Sequence, residues 1–124
     1  MTPRDGNAQL VREMFDAWRR RDIDAILASM SEDILYHNIP LAPLKGRPAV
    51  RAFLDTFFER ALTFDVVFHH EMENGAGLVM NERTDIFRMR SGRDVRLPIM
   101  GVFELAGGFI TAWRDYFDLG QFNG

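Results

Sequence analysis

The chain of 124 residues has no cysteine, which excludes disulfides, thiol nucleophiles and thiolate-held metal centres together. It has no apolar run near the ~18 residues of a membrane span. Its opening stretch, MTPRDGNAQ, lacks the apolar core of a secretory signal, so the chain reads as cytoplasmic. Positive charge is not in excess. Fifteen Lys and Arg against 18 Asp and Glu leave a net charge of -3, which argues against nucleic acid as a main partner. There is no repeat, low-complexity tract, nucleotide loop or phosphate motif. Histidine is scarce, and of the three present, His69 and His70 are adjacent on a strand. Neighbours on a strand face opposite ways, so the pair holds no metal, and His37 points away from Tyr36 and Asn38.

What the chain does have is apolar and aromatic. Hydrophobic residues make up 47%, with 11 phenylalanines, enough for one domain over 1–124 with a wide core or an apolar cavity. After an opening to about Gly6 that reads as frayed, Leu10, Val11, Met14, Phe15 and Trp18 mark one face of a helix. Arg19-Arg20-Arg21 closes it. Asp22 caps a short second helix carrying Ile23, Ile26, Leu27 and Met30. ILYHNIP at 34–40 alternates as a strand and is stopped by Pro40 and Pro43. Gly46-Arg47-Pro48 starts a third helix with an apolar stripe of Val50, Phe53, Leu54, Phe57 and Phe58.

Four strands follow, at about 63–72, 77–89, 94–106 and 109–118, with turns at Glu73-Asn74-Gly75, Ser91-Gly92 and Gly107-Gly108. Pro98 cannot donate to a ladder, so a bulge or edge position is expected there. The order predicts an α+β fold: a curved mixed or antiparallel sheet with three or four helices on one face, forming a cone with an internal pocket.

Two of these strands carry charge where hydrophobes are expected. Arg83 and Asp85 share a face with Phe87, Asp115 shares one with Trp113 and Phe117, and Tyr36 and Asn38 share one with Ile34. Two readings stand. The charges are a buried ion network that fixes strand register or simply a solvated outer face, or they are a cluster in which one carboxylate is a general base and the other, kept protonated, a general acid.

The set YHN (36–38), NERTD (81–85), LPIMGVFEL (97–105) and WRDYFDL (113–119) resembles the limonene-1,2-epoxide hydrolases, within the SnoaL-like and nuclear-transport-factor-2-like (cystatin-like) cone superfamily. The resemblance runs from about Leu10 to Phe122. It implies a catalytic Asp85–Arg83–Asp115 set, with Tyr36 and Asn38 holding a water. It also places Phe15, Trp18, Phe57, Phe87, Leu97, Ile99, Phe117 and Phe122 around the pocket. The implied activity is cofactor-independent addition of water to a small apolar epoxide, by a homodimer. The superfamily also hosts SnoaL-like cyclases, ketosteroid-isomerase-like enzymes and non-catalytic binding modules. A cyclase or isomerase would use Asp115 or Asp85 as a carbon base and have no need of a held water.

Overall fold

The computed structural model describes residues 3–123, with side chains described over 6–122. Helix α1 (Pro3–Arg19) starts ahead of the Gly6 at which regular structure was expected, while Met1 and Thr2 of that opening lie outside the described residues. Its stripe of Val11, Met14, Phe15 and Trp18 is buried. Arg21 then turns the chain in a left-handed conformation, φ 60°. Its guanidinium donates to the carbonyls of Phe58 and Ala61, which ties this corner to the end of the third helix. The Asp22 carboxylate accepts from Ala25 N at 3.0 Å and caps α2 (Ile23–Ala28). Met30, expected on that helix, instead opens β1 (Met30–Asn38). A two-residue β2 (Leu44–Lys45) leads into α3 (Arg47–Arg60), with Gly46 at φ 87° and Pro48 in the first turn.

β3 (Ala61–Glu73), β4 (Leu78–Met89), β5 (Asp94–Ala106) and β6 (Phe109–Tyr116) follow as successive hairpins. The sheet order is β2-β1-β6-β5-β4-β3, antiparallel throughout except that β1 runs parallel to β6. The sheet is therefore mixed, as expected. The last strand ends at Tyr116, and Asp118 begins a short α4 (Leu119–Asn123) by accepting from Gly120 N at 2.9 Å. At Pro98 the ladder to Thr84 continues without a register shift, so there is no bulge. Pairing with β6 begins only at Met100, which leaves Pro98 a partner on one side alone.

The helices pack on one face of the sheet. There Phe15 meets Phe68, Phe103 and Trp113 edge-on, and Trp18 sits among Phe57, Phe58 and Phe64. The other face carries Val67, Met100 and Tyr116, all exposed. His69 and His70 do not face opposite ways. A register shift between Phe68 and His70 puts both on this outer face, His69 against the Thr84 hydroxyl at 2.8 Å and His70 near Glu82 at 3.7 Å. No helix among the described residues is long and apolar enough to cross a membrane.

Candidate active site

Register brings the polar residues together. Asn38 on β1 pairs with Asp115 on β6, Asp115 with Gly101 on β5, and Gly101 with Asn81 on β4. These four form a row across the inner face. One step along, Tyr36 lies beside Trp113, and their rings stack at 4.3 Å.

Arg83 spans this row. It starts on β4 and must reach β6, two strands or roughly 9–10 Å away. It can do so because β5 offers only hydrogen at Gly101: a Cβ there would lie 2.3 Å from Arg83 Nη1, 2.9 Å from Asn81 Oδ1 and 3.0 Å from Asp115 Oδ1. Arg83 Nε donates to Asp85 Oδ1 at 2.9 Å, Nη1 to Asn81 Oδ1 at 2.9 Å and Nη2 to Asp115 Oδ2 at 2.6 Å. The indole Nε1 of Trp113 donates to Asp115 Oδ1 at 2.6 Å. The Phe15 ring lies 4.7 Å from the guanidinium carbon. Arg83 is fully buried, Asp115 is 2% and Asp85 8% exposed, so of the three Asp85 is nearest to open space.

Burial sets the titration of this cluster. Desolvation pushes Asp85 up to about 6, with Asp115 adding to the rise and Arg83 opposing it. For Arg83, burial works against the charge, but Asp115 and Asp85 outweigh it and hold the guanidinium protonated. Burial, then Asp115, raises Tyr36 well above the ordinary phenol range, so its hydroxyl stays neutral.

Beside the cluster lies a cavity of about 420 Å³. Of the expected residues, Tyr36, Asn38, Asp85, Trp18, Phe57, Phe87, Leu97, Phe117 and Phe122 line it. Arg83 and Asp115 lie behind that wall. Phe15 and Ile99, expected around the pocket, are also not on it. Phe15 is spent on packing against Arg83 and Trp113, and Ile99 is level with Arg83 in the β4–β5 ladder, deeper than the cavity.

The wall also contains Leu41, Phe53, Thr56, Arg60, Phe64, Met89 and Arg93. Phe53 was open to prediction, being one turn from Phe57 on the α3 stripe. So was Gly101, because an isolated glycine within a strand marks a close approach. Asn81 and Trp113 stand two residues before Arg83 and Asp115, on the same faces. Asn81 Nδ2 is buried with no partner among the described residues. No group of three or more His, Asp or Glu that could hold a metal converges among them.

Comparison with known proteins bears on what such a cluster is for. The family model described as the limonene-1,2-epoxide hydrolase catalytic domain matches residues 5–122. The chain belongs to the limonene-1,2-epoxide hydrolase family. Epoxide hydrolase EphG of Mycobacterium tuberculosis is 33% identical to this family member over 109 residues, which is 88% of this chain and 71% of EphG. A solved structure of an LEH-like epoxide hydrolase from M. tuberculosis superposes with a TM-score of 0.83 at 30% identity, covering 94% of this chain and 86% of that one. An NTF2-like protein of unknown function from Burkholderia pseudomallei has a TM-score of 0.84 at 22% identity, over 94% of each chain. That likeness concerns the fold alone: this chain has the fold of an NTF2-like protein.

Proposed function

We propose that this protein adds water to an apolar epoxide in one general acid/base step, giving a vicinal diol without a cofactor. The observation that carries the reading is the Asp85–Arg83–Asp115 chain, with Asp85 at the cavity wall and Asp115 beside Tyr36 and Asn38. Asp115 takes a proton from a water held by Tyr36 and Asn38, and that water's oxygen bonds to a ring carbon. The ring C–O bond breaks as Asp85 gives its proton to the departing oxygen. The proton gained by Asp115 returns to Asp85 through solvent before the next turnover. Arg83 holds the two carboxylates in register, and its hydrogen bonds keep either from swinging onto carbon.

The source of oxygen tests the reading. A carboxylate nucleophile forms an ester and leaves its own oxygen in the first product. In a single turnover with excess enzyme in heavy-oxygen water, the diol is expected to carry label. Unlabelled diol, with label left in Asp115 or Asp85, would overturn the one-step mechanism.

The acid role also fixes a pH dependence. Asp85 acts only while protonated, so kcat/KM is expected to hold up to about pH 6 and fall about tenfold per unit above it. A profile that stays flat across that value removes Asp85 from the role.

The exposed outer face of the sheet, with Val67, Met100 and Tyr116, is the surface we assign to a second copy. Apolar sheet faces left open by the helices are commonly closed by two-fold pairing. Light scattering at micromolar protein is expected to give twice the chain mass, and Met100→Glu to halve it. A wild-type monomer at that concentration would reject the dimer.

A further inference from the structure

We propose that the outer end of the cavity is an anion subsite, formed by Arg60 and Arg93, and that the preferred epoxide carries a carboxylate remote from its ring. The assignment of the ring end rests on the reaction proposed above.

The cavity wall is polar in an ordered way. Along β4 the inward positions run from Asp85 through Phe87 to Met89. At a rise of about 3.4 Å per residue, Asp85 and Met89 are on the order of 13 Å apart. Both arginines belong to the Met89 end. Met89 N donates to Arg93 O at 2.8 Å, and Ala61, which follows Arg60, pairs with Met89. Arg93 Nη2 donates to Phe122 O at 2.8 Å, which fixes that guanidinium beside α4. Both residues line the cavity, and Asp85, at the other end, is the only acid among the described residues that does. Neither arginine has a carboxylate partner among the described residues.

An apolar channel with an acid at its inner end and two cations at its outer end orients an amphiphile. The charged end of an anionic substrate is attracted outward to the two arginines, which leaves its middle against Phe87, Phe57 and Leu97. Arginine forks match the planar geometry of a carboxylate. A wholly neutral epoxide would use neither arginine.

Titration calorimetry with dodecanoate and its methyl ester tests this on the wild type, Arg60→Gln, Arg93→Gln and the double variant. The acid is expected to bind the wild type about tenfold tighter than the ester, with the ratio shrinking as salt rises. The ratio should approach one in the double variant, while Arg60→Lys, which keeps the charge, should retain most of it. Equal binding of acid and ester by the wild type, or a preference that survives the double change, overturns the proposal. If loss of the Phe122 contact unfolds the double variant, exposed Arg60 alone decides: its glutamine variant must lower the ratio about threefold. Neither probe has an epoxide ring, so this outcome is independent of the labelling experiment on which the reaction stands or falls.

Discussion

Asp115→Asn is expected to lower kcat by about 10²- to 10⁴-fold, the range for loss of a positioned base. The amide oxygen has no useful affinity for the proton of water. The change also reaches the fold. Asp115 accepts from Trp113 through Oδ1 and from Arg83 through Oδ2, and an asparagine must turn its NH₂ toward one of those donors. A buried donor facing a donor costs about 1–3 kcal/mol, against a stability of roughly 5–15 kcal/mol for an ordinary domain. The variant should therefore fold, melt at a lower temperature and form almost no diol. Single-turnover diol formation and thermal unfolding measured on the same preparation check both parts. Wild-type turnover in a folded variant would show that the base is another residue.

A subtler change, Gly101→Ala, should cost nearly as much. The added carbon would lie 2.3 Å from Arg83 Nη1, and the guanidinium has nowhere to retreat: Asp85, Asn81, Asp115 and the Phe15 ring hold it on every side described. It must shift by the better part of an ångström, carrying the carboxylates out of line. Misplacement of that size costs on the order of 10²-fold in rate. The kcat of the alanine variant should fall by about that factor, with the descending limb of the pH profile displaced because Asp85 keeps less of its contact with Arg83. An alanine variant with unchanged kcat and profile would mean that the arginine lies elsewhere during turnover.

Legibility in the sequence followed the physics of each element. The stripes of α1 and α3 were readable because each buries one face against the sheet. β2 has two residues and α4 five, too short to show a period. The hairpins from β3 to β6 announced themselves through glycine-bearing turns, but nothing local tells β1 which strand it will join. Its neighbour, β6, lies at the far end of the chain.

The site divided along the same line. Alternation put Arg83, Asp85, Asp115, Tyr36 and Asn38 on faces shared with hydrophobes, since a face is a property of one strand, and left open whether those faces look inward. Which residues meet is a property of register between strands, so the contribution of Asn81, and the arginine for which Gly101 makes room, emerged only in three dimensions. Phe15 and Ile99 show the converse error: their burial was foreseeable, but burial beside an arginine and burial beside a cavity look alike in one dimension.

The parallel pairing of β1 with β6 has a consequence for how the molecule comes into being. β3, β4 and β5 can zip together from neighbouring residues, and with them come Arg83, Asp85 and Asn81. The second carboxylate on the arginine, Asp115, arrives only with β6, and β1, made long before, has waited for that same strand. Until β6 docks, Arg83 thus has Asp85 on its own strand but not Asp115. Docking of β6 brings the second carboxylate onto Arg83 and completes the cluster in one event, so a partly assembled chain lacks it. Refolding followed by tryptophan fluorescence should report that event in a Trp18→Phe background, where Trp113, on the closing strand, is the remaining tryptophan.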